Sequence, residues 1–368
     1  MSEKHKKNKV KILYLSFNKD KSCLALGMQK GYRIYDLTKK DLFYYQRILG
    51  KGIGIIEMIE KTCILGLVGG GNDPWRDPKQ VNLYDDRLGK IIAHVKFNSN
   101  VLNIRLKKDK ILVICENNIY IITYSNFKSI DSIEFGEEKK KKIIFAFTLD
   151  PDVDKLAYNL KKNLENKIII NSYDKDNKKT KVELKTKFDL NHIINCMEFN
   201  NKGQLLAITA INYKYLEIYN SETGLIMYKC ELESDYLNNK NISFSQENDF
   251  ISCFLDNGVV NIFNIKSEVN MLEDDEEEEN INLNVNNNIN NEVKDIKIWT
   301  KFYLPEKYVI CSIVNFFENE QQKKYVICIG NKGNYYLVIF DKNKSENLAL
   351  KICEKYFLKN EDAFENPI

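Results

Sequence analysis

Residues Val101 to Tyr124 read VLNIRLKKDKILVICENNIYIITY, and their pattern decides the fold. An apolar run ends in the charged turn Lys107-Lys-Asp-Lys110. A second run, Ile111 to Cys115, ends in Glu116-Asn-Asn118, and a third run closes on an aromatic residue. Each run is five or six residues long and rich in β-branched side chains, which predicts strands, and the polar breaks between them predict tight turns. The same unit recurs as LYLSFNKDKSCLALGMQKGYRIYDL from Leu13, INCMEFNNKGQLLAITAINYKYLEIYN from Ile194 and NISFSQENDFISCFLDNGVVNIFNI from Asn241. Weaker copies start near Ile55, Ile143 and Tyr308.

Seven units at a spacing of roughly 40–50 residues match the period of four-stranded propeller blades. One such unit is too small to bury its own apolar face. Stacking the units, and closing them into a ring, removes most of the exposed strand edges. The expectation is therefore an all-β, seven-bladed WD-repeat-type β-propeller filling residues 1–368 as one domain, with blades near 10–50, 53–98, 99–135, 142–188, 190–231, 241–304 and 307–358. The stretch 266–292, acidic from Glu273 to Glu279 and then Asn-rich, interrupts the spacing and reads as a disordered insert.

Composition narrows the function classes. The 55 basic and 52 acidic residues nearly cancel, so no global field draws the chain to nucleic acid. Nine scattered cysteines, mostly inside apolar runs, read as buried free thiols, and no apolar stretch resembles a signal peptide or a spanning helix. These features point to a reduced, cytoplasmic protein. His5, His94 and His192 are too far apart for a zinc pattern, so no metal or other cofactor is expected. Gly50-Lys-Gly-Ile-Gly54 and Val68-Gly-Gly-Gly-Asn72 lack the Gly-Lys-Ser/Thr ending of a phosphate loop and read as turn glycines. No nucleophile elbow is present, so the chain is not read as an enzyme.

Two segments carry a more specific likeness. The first joins Gly52-Ile-Gly-Ile-Ile-Glu-Met58, Leu65-Gly-Leu-Val-Gly-Gly-Gly-Asn-Asp-Pro74 and Val81-Asn-Leu-Tyr-Asp-Asp86; the second runs from Phe97 through Arg105 to Tyr120. Together with Phe17-Asn-Lys-Asp20 and Gly31-Tyr-Arg-Ile-Tyr35, they resemble blades one to three of the PROPPINs, autophagy-related propellers that bind phosphoinositides. In that family a Phe/Leu-Arg-Arg-Gly motif sends two arginines into two rim pockets for phosphatidylinositol 3-phosphate or the 3,5-bisphosphate. The resemblance places the motif on Cys230-Glu231-Leu232-Glu233, where both arginines are absent.

The supporting positions of the first pocket fall on Ala210, Lys214 and Glu217, and those of the second on Phe254, Leu255, Val259 and Asn261. Charge-assisted hydrogen bonds contribute about 1.5–3 kcal/mol each. Like charges about 4 Å apart near a surface repel by roughly 4 kcal/mol. Loss of the guanidiniums and gain of Glu217 and Glu231 thus imply loss of headgroup binding. The resemblance also equates the acidic insert with a membrane-inserting loop, but acid repels an anionic surface. Membrane association is accordingly expected to be weak or indirect. A protein partner, an autophagy lipid-transfer protein in relatives, is expected at Asn18, Asp20, Pro78 and Lys79, with the chain monomeric. The alternative is a peripheral effector that binds phosphoinositides through a relocated basic site at Lys139 to Lys142 and Lys161-Lys162.

Overall fold

The structure, a computed structural model, describes residues 12–38, 43–135, 143–162, 165–184, 186, 188, 192–232, 239–265, 293–304, 308–318, 321–330, 334–340 and 352–356. Lys139 to Lys142, Glu233 and the 266–292 insert lie outside these residues. Lys161 and Lys162 belong to a strand, but their side chains are not described.

The described strands form seven sheets, and no helix appears among the described residues. Six are four-stranded antiparallel-type meanders and one has five strands. Sheet one holds β1 (Ile12–Phe17), β2 (Cys23–Met28), β3 (Gly31–Asp36) and β4 (Phe43–Ile48). Sheet two holds β5 (Ile53–Met58), β6 (Ile64–Gly69), β7 (Gln80–Asp85) and β8 (Lys90–Lys96), and sheet three holds β9 (Val101–Leu106), β10 (Lys110–Cys115), β11 (Asn118–Thr123) and β12 (Ser129–Glu134). Sheet four holds β13 (Phe145–Phe147), β14 (Asp154–Lys162), β15 (Glu165–Tyr173) and β16 (Lys179–Glu183). Sheet five comprises β17 (Ile193–Phe199), β18 (Leu205–Ile211), β19 (Tyr215–Asn220), β20 (Ile226–Glu231) and, as a fifth strand, β24 (Lys294–Ile296). Sheet six comprises β21 (Asn239–Phe244), β22 (Phe250–Leu255), β23 (Val259–Asn264) and β25 (Thr300–Tyr303). The last sheet is β26 (Tyr308–Glu318), β27 (Gln321–Gly330), β28 (Asn334–Phe340) and β29 (Ile352–Tyr356).

The chain divides into two compact units, Met1–Lys141 with Val314–Ile339 and Lys351–Ile368, and Lys142–Ile313 with Phe340–Leu350. In both, the apolar clusters lie between sheets. In the first unit, Ala25 and Tyr32 of sheet one pack with Ile53, Ile56, Leu65 and Tyr84 of sheet two. In the second, Leu216, Ile218, Cys230 and Leu232 of sheet five pack with Cys253, Leu255, Val259 and Phe263 of sheet six. Middle strands such as β10 and β22 are buried along their whole length, because a neighbour covers each face. The side chains of seven of the nine cysteines are described, all as free thiols, and burial pushes Cys115 up to about 12.

The glycines of residues 50–72 do more than turn the chain. A Cβ on Gly52 would stand 2.1 Å from the carbonyl oxygen of Gly70, and one on Gly70 would stand 2.4 Å from the Cα of Gly54. The loop after β6 folds back onto the start of β5, where Trp75 N donates to Gly52 O at 2.9 Å. Only glycine permits backbones this close. The turn-glycine reading is thereby corrected for Gly52, Gly54 and Gly70.

Polar bolts cross the sheets of the first unit. Arg105 of β9 donates to Glu57 of β5 at 2.7 Å, and Tyr14 of β1 donates to Asn103 at 3.0 Å and to Glu57 at 3.3 Å. Burial pushes the Glu57 carboxyl up to about 7, against the opposing pull of Arg105. Farther out, Asp86 accepts from Tyr32 at 2.5 Å and from Arg47 Nε at 2.8 Å, tying sheet one to the turn between β7 and β8.

Two outcomes follow. An acid whose proton is held more tightly in the folded state stabilises fully below its unfolded value and loses that contribution as pH rises through the folded value. Urea midpoints at pH 5, 6, 7 and 8 should therefore fall across that window more steeply for the native chain than for Glu57→Gln; parallel profiles would contradict the assignment. Asp86→Ala leaves the buried Tyr32 hydroxyl without its acceptor and should cost about 1–3 kcal/mol in urea unfolding. Arg47→Ala should cost less, because its side chain is partly exposed.

Candidate functional site

Strand direction determines where the candidate residues lie. In sheet five the chain runs up β17, down β18, up β19 and down β20, since each neighbouring pair is antiparallel. Ala210, Lys214 and Glu231 consequently share one end of the sheet, with Tyr215 paired to Glu231 and Leu232 N donating to Lys214 O at 2.8 Å. In sheet six, Leu255 and Val259 flank the turn between β22 and β23. Leu232, Leu255 and Val259 belong to one buried apolar cluster between sheets five and six, while Ala210 belongs to another between sheets four and five.

Both clusters are filled interior. Ala210, Leu232, Phe254, Leu255 and Val259 are all buried. Glu217 has no exposure at all; its carboxylate accepts from the Tyr213 hydroxyl at 2.5 Å and from the Tyr219 hydroxyl, and Lys229 Nζ lies 3.8 Å away. Tyr219 shares a face with Glu217 because residues two apart on a strand do so. Burial, reinforced by the adjacent carboxylate, pushes both tyrosine hydroxyls well above their ordinary range. Tyr213 is also packed edge-on against Phe188 at 5.0 Å, His192 at 4.8 Å and Tyr215 at 5.8 Å, and Lys229 sits 5.4 Å over the Tyr215 ring. A wall of rings and a buried, hydrogen-bonded acid occupy the region the resemblance assigns to the first pocket.

At the rim, Lys214 forms an ion pair with Glu231, both side chains 58% exposed. From the sequence alone, Glu231 is a source of repulsion. Here each charge answers the other, so this end of the sheet offers neither sign strongly. Asn261 is fully buried, and neither atom of its carboxamide has a hydrogen-bond partner among the described residues.

The four residues expected to bind a partner do not form one patch. Asn18 is buried: its Nδ2 donates to Ser22 Oγ at 3.1 Å and to Glu60 O at 3.4 Å, and its Oδ1 accepts from Cys23 N at 2.8 Å. Asp20 is exposed and accepts from Ser22 N at 3.1 Å. This turn lies beside the turn between β5 and β6. Pro78 and Lys79 lie at the other end, where the loop between β6 and β7 meets the turn between β2 and β3 through Asn72 N and Gln29 Oε1, 3.1 Å apart. Their carbonyls accept from Val101 N at 3.0 Å and Phe97 N at 2.8 Å, while the Lys79 side chain is exposed. A six-residue strand separates the two ends by about 20 Å. The same loop carries a stack that sequence reasoning missed, with Arg76 5.3 Å over Trp75 and Trp75 edge-on to Tyr84 at 5.7 Å.

Among the described residues, no group of three His, Cys, Asp or Glu side chains could hold a metal ion.

Comparison with known proteins places this geometry in a family. Autophagy-related protein 18 of Scheffersomyces stipitis is 22% identical over 283 residues, covering 69% of this chain and 50% of that protein. The Candida glabrata protein of the same name is 29% identical over 149 residues, 40% of this chain and 29% of its own length. The matches therefore span half or less of these curated relatives. Among solved structures, Kluyveromyces lactis Hsv2 superposes with a TM-score of 0.72 at 17% identity, covering 95% of this chain and 100% of that one. KlAtg21, solved in complex with the coiled coil of AgAtg16, superposes with a TM-score of 0.70 at 14% identity, covering 94% and 99%. The fold is an all-β propeller. The family model for PROPPIN matches residues 12–281, well over half of the sequence, and the chain belongs to the PROPPIN family.

Proposed function

We propose that this chain is a non-enzymatic PROPPIN scaffold, its seven sheets acting as seven blades, that recruits a protein partner in autophagy or a related trafficking step and has lost its family's grip on phosphoinositides. The observation that carries the reading is the filled end of sheets five and six. Where relatives place two guanidiniums, this chain has Glu231 paired with Lys214 and Leu232 buried in an apolar cluster. A phosphate entering there would meet no built donor set and would have to displace close-packed side chains. Displacing such packing costs several kilocalories per mole.

A protein partner is supported by the KlAtg21 complex, a protein of this fold seated against a coiled coil. The partner surface is assigned to the first three sheets, where likeness to relatives is strongest, and an autophagy lipid-transfer protein is the partner class the family resemblance implies. Membrane association would then be peripheral, at autophagy-related membranes, and made through that partner. Because Asp20 and Lys79 stand at opposite ends of their sheets, a compact partner contacts one of them.

Liposome flotation at physiological salt tests the lipid half. Recovery with vesicles containing phosphatidylinositol 3-phosphate should equal recovery with phosphatidylcholine alone; saturable, headgroup-dependent flotation abolished by Glu231→Ala would overturn it. Affinity purification tests the protein half. One of Asp20→Lys and Lys79→Glu should reduce capture of a lipid-transfer protein at least fivefold while the other leaves it unchanged. Equal capture by both variants and the native chain would remove this surface from the proposal.

A further inference from the structure

The chain leaves sheet six at β23 and does not return to it directly. It first lays β24 along the outer edge of sheet five, parallel to β20, with Tyr228 opposite Lys294, Lys229 opposite Asp295 and Cys230 opposite Ile296. Only then does β25 complete sheet six, with Thr300 opposite Ile262. The register puts Ile296 on the same side as Cys230, facing sheet six. Ile296 and Ile298 are partly buried against the cluster shared by the two sheets, while Lys294, Asp295 and Lys297 are exposed. An extended segment with aliphatic side chains two residues apart is thus seated on an open sheet edge.

We infer that the outer edge of β20 is a strand-accepting docking site occupied in cis by β24, and that a partner's extended segment carrying two β-branched aliphatic residues two positions apart displaces it. Three features make the cis occupant replaceable. It is three residues long, it pairs parallel, the weaker of the two ladder geometries, and two of its three side chains are exposed. Main-chain pairing at an exposed edge supplies affinity, and pockets for alternate side chains supply selectivity. This inference does not depend on the loss of lipid binding.

The probe is a fluorescent peptide of residues 293–299, Val-Lys-Asp-Ile-Lys-Ile-Trp, titrated against the full chain and against the full chain carrying Ile296→Asp and Ile298→Asp. Cooperative unfolding of the double variant verifies that it folds. The peptide should bind the double variant saturably and at least tenfold more tightly than the native chain, and a peptide with both isoleucines changed to aspartate should not bind. Absence of saturable binding to the folded double variant, or equal affinity for the two chains, would overturn the docking site.

Discussion

A carboxylate with no solvent exposure persists only where its neighbours replace water, and Glu217 sets that condition for one end of sheet five. Two tyrosine hydroxyls donate to it and Lys229 stands 3.8 Å away. To supply those donors the strand must present Tyr219 on the same face, the turn before it must present Tyr213, and the next strand must present Lys229. Phe188 and His192 then brace Tyr213. The Glu217 carboxylate and the Tyr213 and Tyr219 hydroxyls are committed to one another. A buried polar network is costly when half satisfied and rigid when satisfied, so this region is a structural element before it can be anything else.

The wider architecture follows the same division between apolar burial and a few polar bolts. The described apolar clusters each span two sheets. The clusters of Leu216 with Phe263, and of Tyr32 with Leu65, each need two sheets. Between the sheets of the first unit, Tyr14, Glu57 and Arg105 lock three strands into one register, since a slip of one residue would turn each of them to the opposite face. This arrangement leaves the strand ends and outer edges as the free surfaces. One of those edges, along β20, is taken by a segment of the chain itself.

Much of the architecture was legible because the strands advertise themselves. Ile111 to Cys115 is an unbroken apolar run and Phe250 to Leu255 is interrupted only by Ser252, each between charged or Asn-containing turns, and their repetition pointed to stacked sheets. The substituted family positions were legible too, since Glu231 and Leu232 stand where the resemblance requires arginines. Other features lacked a sequence signal. Lys294 to Ile296 is too short to carry a period, and nothing in it announces that it joins sheet five. Glu57, Arg105 and Tyr14 come from three separate repeats, so only folding brings them together. Asn18 and Lys79 come from different turns, and the strand directions place them at opposite ends. The signal that was present and overlooked is Glu217-x-Tyr219, a spacing that puts acid and phenol on one face of a strand.

Whether the substituted positions of sheets five and six still receive a phosphorylated inositol decides the central claim. Titration calorimetry of inositol 1,3-bisphosphate into the full chain addresses this without a membrane or a partner. The filled pocket and the committed charges of Glu217, Lys214 and Glu231 predict no saturable heat at millimolar ligand. Saturable binding in the micromolar range, weakened by Lys214→Ala, would contradict it.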